Sequence, residues 1–329
     1  MDIKECLKKS YNINTVDIIE IPGRMFMLNY VVTDRTGNKY FVKTCPSDTT
    51  EVQLDIQWLI HEHLIKDSIP IPRIIRTVNN KSGLIFNNRV LCCFEYVQND
   101  ENSNFKFYSK EAGQLLGIIH KSLDKFDLTT LIEVKSDVTI KEIKNNLIYW
   151  LNTTKLSSLD NIDNSILEVK QDIIDFLIYF KEEKFEGLHK QLIHGDFNKN
   201  NVLTYKGNVN AVIDLFNLSY SYRITDLSES IIMYFGSDLL DNKWCLNIDK
   251  QYEFLSSYLE VNKLSNKEIE NLPYMLKTQC IKHLANFTSN YEILKRLPEV
   301  KRVLLMLISF FKLADELAIT QNLHVFRAN

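Results

Sequence analysis

The sequence predicts an α+β protein, with a small mixed N-terminal lobe on an antiparallel sheet and a larger, mainly α-helical C-terminal lobe. Three observations lead there. At 329 residues the chain is too long for one ordinary core and suits two lobes. The first hundred residues alternate short β-rich runs with turn residues. Beyond the polar break Gln98–Asn104, apolar residues recur mostly at helical spacing. The lobes are therefore placed at residues 1–98 and 99–329.

Within the first lobe, Val16–Ile21 is β-rich and stops at Pro22-Gly23. A second strand runs over Phe26–Thr33, a turn with Gly37 spans Asp34–Asn38, and Tyr40–Thr44 forms a third strand. A helix follows, capped by Thr49 or Thr50, with Glu51 in its first turn where a negative charge suits the helix dipole. Its apolar positions are Leu54, Trp58, Leu59 and Leu64, and Pro70 and Pro72 close the element. Gly83–Phe86 and Arg89–Val97 are two more strands, with Asn87-Asn88 as the hairpin turn. Five strands and one helix are expected in this lobe.

The second lobe predicts helices at about Ser109–Lys125, Thr139–Asn152, Ile166–Phe185, Asp226–Phe235 and Asp249–Val261. Ser265-x-x-Glu268 is a capping box that opens another. Pro298 starts the last, which reaches about Gln321. Two short strands interrupt the helices between Leu192 and Asp214.

Composition excludes several classes. Hydrophobic residues at 45% and charged residues at 25% mark a soluble globular chain, and a net charge of −3 carries no basic stripe for nucleic acid. The longest apolar run, Val303–Phe311, is far short of the roughly 20 residues a membrane span needs. The N-terminal MDIKECLKKS has no signal-peptide apolar region. Cys6, Cys45, Cys92, Cys93, Cys245 and Cys280 include no C-x-x-C pair, and they read as reduced core thiols rather than a zinc site or disulfide framework. A cytoplasmic protein follows, with no nucleic-acid or membrane partner; the composition leaves its oligomeric state open.

The chemistry concentrates in His194-Gly195-Asp196-Phe197-Asn198-Lys199-Asn200-Asn201-Val202-Leu203, followed by Ala211-Val212-Ile213-Asp214. Asp196 and Asn201 stand on a tight loop between β segments, and Asp214 ends an apolar strand. Phosphoryl transfer needs such parts. One carboxylate orients the attacking hydroxyl and accepts its proton, while an Asn oxygen and a second carboxylate hold Mg²⁺ against nucleotide phosphates.

HGDFNKNNVL followed by VIDL resembles the catalytic and metal motifs of the aminoglycoside phosphotransferase, choline kinase and type-II homoserine kinase group, distant relatives of protein kinases. The resemblance implies a bilobal protein-kinase-like fold. It implies Asp196 as catalytic base, Asn201 and Asp214 as Mg²⁺ ligands, and ATP or GTP as co-substrate. His194, and Asp226 of Thr225-Asp226-Leu227, would brace the catalytic loop. By layout the resemblance covers most of the chain, but only this stretch is specific in sequence.

The N-terminal lobe adds weaker signals. Lys43, at the end of Tyr40-Phe41-Val42-Lys43, is placed to reach the α and β phosphates, with Glu51 as first choice of carboxylate partner and Asp55, one turn on, as second. Ile21-Pro22-Gly23-Arg24-Met25-Phe26 carries one glycine where protein kinases carry three, so Gly23 is either a phosphate-loop residue or a hairpin turn. Glu95, Tyr96 and Val97 precede the lobe break, as a hinge strand offering backbone groups to adenine should. His120 reads as packing or capping, and His61, His63 and His283 lie on predicted helices without metal-ligand company.

The chain therefore reads as a Mg²⁺-dependent kinase moving the γ-phosphate to a hydroxyl of a small-molecule acceptor, whether aminoglycoside, amino alcohol, homoserine-like compound or sugar. The alternative is a catalytically silent kinase-like binding or structural protein, as some spore-coat proteins are. A protein-serine kinase is disfavoured, because Asn198 stands where those enzymes carry lysine and no A-P-E follows Asp214.

Overall fold

A computed structural model describes residues 2–22, 28–45, 49–100, 109–130, 139–153, 164–198, 200–231, 237–240, 243–289 and 300–316. In chain order the elements are α1 (Ile3–Tyr11), β1 (Thr15–Pro22), β2 (Leu28–Asp34), β3 (Lys39–Thr44), α2 (Glu51–Lys66), β4 (Ile74–Ile75), β5 (Leu84–Phe86) and β6 (Arg89–Glu95). Then follow α3 (Ser109–Leu123), α4 (Ile140–Thr153), α5 (Asn164–Ile178), β7 (Lys190–Ile193), β8 (Val202–Tyr205), β9 (Asn208–Val212) and β10 (Ser219–Tyr222). The remainder is α6 (Arg223–Ser230), β11 (Ser237–Leu240), β12 (Lys243–Leu246), α7 (Ile248–Val261), α8 (Asn266–Ser289) and α9 (Val300–Leu313).

Two compact units result. The first comprises Met1–Lys106, Ser122–Lys135 and Lys199–Leu218, and the second Phe107–Lys121, Ser136–Asn198 and Ser219–Asn329.

The first unit is built on an antiparallel sheet in the order β1-β2-β3-β6-β4, with β5 paired to β6. Among the described residues it has six strands and two helices before residue 98, one more of each than the sequence predicts. The extra helix, α1, buries Cys6, Leu7 and Tyr11 against Val32, Val42, Leu91 and Cys93 of the sheet. These positions recur at helical spacing, so burial of one face holds the element. The extra strand, β4, pairs only Ile74 and Ile75 with β6 and is too short to show a period.

Local signals elsewhere were sound. Thr50, not Thr49, caps α2. Its Oγ1 accepts from Gln53 N–H at 3.2 Å, while Gln53 returns the contact to the Thr50 N–H at 3.0 Å. Asn87 and Asn88 take φ of 48° and 60°, the paired left-handed conformation of a two-residue hairpin turn. Leu54 and Leu64 of α2 are buried, but Leu59 is exposed. β8 and β9 form a hairpin of this same unit, since Val212 N–H donates to Pro70 O at 2.7 Å.

The second unit is mainly helical. α8 packs against α4, α6 and α9, and β7 pairs with β10. α3 meets α7 at glycine, where a Cβ on Gly113 would stand only 2.0 Å from Phe254 O. The Ser265–Glu268 capping box opens α8. Among the described residues, strands β7, β8 and β9 fall on the stretch from Leu192 to Asp214, one more than expected. The β11–β12 hairpin was not foreseen.

Cys6, Cys45, Cys92, Cys93 and Cys280 are buried free thiols. Burial pushes Cys93 up to about 12, so it stays protonated at neutral pH. Among the described residues no helix is long and apolar enough to cross a membrane.

Candidate active site

The structure brings Lys43 of β3 and Asp214 together. Lys43 Nζ lies 3.1 Å from Asp214 Oδ1, and the lysine is 8% exposed. The same ammonium stands 4.4 Å from the centre of the Phe216 ring, which adds a cation–π contact. Asp214 itself adopts φ 67° and ψ 57°, a left-handed backbone that is uncommon outside glycine. Asp and Asn tolerate it best, which suits a carboxylate turned sharply out of a strand end.

Asn201 is fixed beside Asp214 through the backbone, since Ile213 N–H donates to Asn201 O at 2.8 Å. Asn201 is buried and Asp214 half-buried. Together they offer an amide oxygen and a carboxylate, the hard donors that Mg²⁺ prefers. Among the described residues no cluster of three His, Cys, Asp or Glu could hold a metal alone. That donor set fits Mg²⁺, an ion that takes few protein ligands and fills its octahedron with phosphate oxygens and water.

Lys43 and Asp214 border a cavity of about 540 Å³ in the first unit, whose walls include Phe41, Glu95, Tyr96 and Val97. This volume lies in the ordinary range for a small-ligand site. Asn29, His61 and Phe216 also line it; none of the three is a predicted site residue, and His61 is expected only on a helix without metal-ligand company. His61 is fixed there by its Nδ1 contact to Pro72 O at 3.0 Å.

Asp196 lies in the second unit on the turn after β7. Buried Asp226, on α6, accepts the N–H groups of His194 and Gly195 at 2.7 Å each. Ser230, one turn on, donates to Phe197 O at 2.8 Å. His194 Nδ1 accepts from Asp196 N–H at 3.3 Å, and Asn198 donates to the Asp196 carboxylate. His120 sits behind this network, with Nε2 3.1 Å from Asp226 and Nδ1 2.9 Å from Tyr258 OH. Asp196 is left half-buried at the head of a turn held by fully buried partners.

The model of the phosphotransferase enzyme family matches residues 19–253, well over half of the chain. The chain belongs to that family. Solved structures agree on the protein-kinase-like α+β fold of the phosphotransferase. An aminopropanol kinase associated with a microcompartment aligns with TM-score 0.69 at 14% identity, covering 95% of each chain. An AMP-bound spectinomycin phosphotransferase gives 0.66 at 18%, covering 95% of this chain and 97% of that one. An amicoumacin kinase solved with AMP-PNP, Ca²⁺ and Ami gives 0.65 at 15%, covering 98% and 97%. No protein of curated function matches the chain in sequence.

One expected pairing in the phosphotransferase is absent. Glu51 pairs with Lys81 at 2.9 Å, and Asp55 accepts from Ser82 at 2.6 Å, so neither helix carboxylate meets Lys43. The lysine is drawn instead to Asp214, whose carboxylate is less solvated than exposed Glu51. Gly23 falls outside the described residues. His120 fits the packing role expected of it, and its specific partner is Asp226. No sequence spacing announced Ser230, because a serine inside a helix carries no signal of which carbonyl it will meet.

Proposed function

We propose that this phosphotransferase moves the γ-phosphate of ATP or GTP onto a hydroxyl of a small molecule. The observation that carries the reading is the contact of Lys43 with Asp214 on the wall of a cavity that is also lined by Glu95, the last residue of β6, and by Tyr96 and Val97 just after it. A cation and a carboxylate on the wall of a largely apolar pocket suit a nucleotide whose base packs on the apolar side chains and whose phosphates meet the charged pair.

In this reading the backbone of Glu95–Val97 receives the base, Lys43 neutralises the α and β phosphates, and Asn201 and Asp214 would hold Mg²⁺. When bound, that ion supplies charge neutralisation on the β and γ phosphates. Asp196 orients the acceptor. The acceptor oxygen bonds to the γ-phosphorus, the bond from that phosphorus to the β,γ-bridging oxygen breaks, and the nucleoside diphosphate leaves. The hydroxyl proton passes to Asp196. His194 and Asp226 keep the turn in place and take no part in the bond changes.

The acceptor belongs to the range of aminoglycosides, amino alcohols, homoserine-like compounds and sugars. The proteins of similar fold named above lend support, being an aminopropanol kinase, a spectinomycin phosphotransferase and an amicoumacin kinase. The test is a nucleotide-consumption screen across these hydroxyl compounds with Mg-ATP and Mg-GTP. Phosphorylation of at least one compound is expected. Tight binding of Mg-nucleotide with transfer to none would favour a silent binding protein.

A further inference from the structure

The sheet face that lines the cavity of the first unit changes character along its strands. Val31 of β2 and Phe41 of β3 stand opposite each other and give it apolar side chains. Two residues along both strands, Asn29 stands opposite Lys43, with Ile21 of β1 facing Asn29 from the other side. All three line the same cavity. Facing residues of an antiparallel pair present their side chains to one face, with Cβ atoms about 5 Å apart. The carboxamide of Asn29 is therefore a neighbour of the Lys43 side chain on the cavity wall.

Two features mark this amide. Its Oδ1 is sealed from solvent and has no hydrogen-bond partner. Among the described residues nothing takes an N–H of its Nδ2 either. A buried acceptor without a donor is costly, and asparagine is a poor strand former besides. A residue that breaks two local rules inside a strand is expected where a ligand completes its bonding.

Lys43 has the matching donors. An ammonium carries three N–H groups. Asp214 takes one at 3.1 Å, and the Phe216 ring centre lies 4.4 Å from the nitrogen. Glu51 and Asp55 are engaged with Lys81 and Ser82, so neither claims another.

We infer that Asn29 is a nucleotide-binding residue at the phosphates: its Nδ2–H donates to a phosphate oxygen, and its Oδ1 accepts an N–H of Lys43. The inference rests on the kinase reading and deepens it. Chemistry assigns the two ends. A phosphate oxygen accepts hydrogen bonds, so it meets the nitrogen end. The oxygen end then needs a donor, and the neighbouring one is the ammonium. Asn29 and Lys43 are not hydrogen-bonded as they stand. A turn of the amide and a shift of the lysine from the Phe216 ring towards the phosphate bring them together. A carboxamide serves both partners at once, whereas a carboxylate at this position would hold the lysine and repel the phosphate. Asn29 thus takes, from the adjacent strand, the place of the helix carboxylate that Lys43 lacks.

The test uses the full-length protein and calorimetric titration with adenosine and ADP, and with guanosine and GDP alongside. Asn29→Leu removes both polar ends at similar volume. Asn29→Asp keeps the shape and the acceptor but replaces the donor by a charge. For Asn29→Leu the ADP Kd should rise about tenfold, as loss of a hydrogen bond to a charged group does, while the adenosine Kd stays within about twofold. Asn29→Asp should raise the ADP Kd further and again spare adenosine. Nucleotide-free Asn29→Leu should melt above wild type, because the orphaned oxygen is gone; an asparagine that only supports the sheet predicts the opposite sign. In a Lys43→Met background, Asn29→Leu should cost less ADP affinity than it does in wild type, since the two residues share a bond.

Unchanged selectivity for ADP over adenosine in Asn29→Asp overturns this inference alone, as do equal losses for both ligands. A lower melting temperature in Asn29→Leu, or a loss of ADP affinity that is the same with and without Lys43, does so too. A wild type that binds neither ADP nor GDP overturns the kinase reading and this inference with it.

Discussion

Asp226 and Ser230, one helical turn apart on α6, hold the Asp196 turn at both ends: the carboxylate takes the N–H groups of His194 and Gly195, and the hydroxyl reaches Phe197 O. A group aimed at a reacting hydroxyl must keep its position to a fraction of an ångström, so these contacts bear on rate rather than on nucleotide affinity. Ser230→Ala removes one neutral hydrogen bond worth about 1 kcal/mol. A several-fold fall in kcat is expected, with nucleotide KM unchanged. Asp226→Asn replaces one of the two oxygens that accept the His194 and Gly195 N–H groups with an amide donor and removes the charge beside His120, so kcat should drop more than tenfold and melting temperature should also fall. Equal losses in nucleotide affinity would show that α6 supports the whole site and not the turn.

Asp196→Asn keeps the shape and one acceptor oxygen but gives up charge and basicity. Turnover should fall by a factor on the order of 10² or more, the usual loss of a positioned general base. Nucleotide affinity, read by calorimetry or dye displacement, should stay near wild type. A variant that retains wild-type turnover removes Asp196 from the chemistry.

Lys43 and Asp214 touch each other, and their substitutions should nevertheless differ in kind. Lys43→Met keeps the apolar stem and loses the charge, so turnover should collapse with little change in melting temperature. Asp214→Ala should weaken nucleotide binding only when Mg²⁺ is present. Titrating ATP with and without Mg²⁺ separates the two, and an Asp214→Ala variant with wild-type metal dependence would exclude it as a ligand.

Acid should act on the second unit through Glu268. The carboxylate accepts from Arg223 at 2.7 and 2.8 Å and from the Ser265 N–H at 2.8 Å, and it is 2% exposed. Burial pushes its carboxyl up, but these partners more than offset it and leave it below its ordinary 4.5. A lowered value means stability present above pH 4.5 and lost as pH falls through the lower, folded-state value. Glu268→Gln breaks a buried pair and should cost about 3 kcal/mol at pH 7. The gap in melting temperature from wild type should narrow below about pH 4.5. A gap that is constant with pH would mean that packing, not charge, sets the cost.

Much of this architecture was legible in the residues, because the signals were local. The Thr50–Gln53 cap, the Asn87-Asn88 turn and the Ser265–Glu268 box each resolve within a few positions, where backbone geometry dictates the side chain. Contacts across long stretches of chain were not legible. Glu51 was matched to Lys43 from a pattern, yet Lys81, thirty residues further on, takes it. No periodicity encodes which of several surface cations a flexible carboxylate will meet. α1 was missed for a different reason. Its apolar spacing at Ile3, Cys6, Leu7 and Tyr11 was present, but the segment was weighed only as a leader. Of the candidate site, the Asp196, Asn201 and Asp214 constellation stood out by spacing, whereas His61, Phe216 and Ser230 enter through tertiary packing alone.

The division of the catalytic stretch between the two compact units has a practical consequence for dissecting the gene. The first unit needs Lys199–Leu218, which the ribosome delivers nearly a hundred residues after Lys106. A fragment ending at Lys106 would lack the strand that answers Pro70 and the Phe216 ring that packs with Cys45, Leu54 and Cys92. Such a fragment would expose an unfinished apolar face and invite aggregation. Independent expression of this unit therefore calls for a spliced design in which residues 122–135 and 199–218 are both rejoined by short linkers, and not for a stop codon.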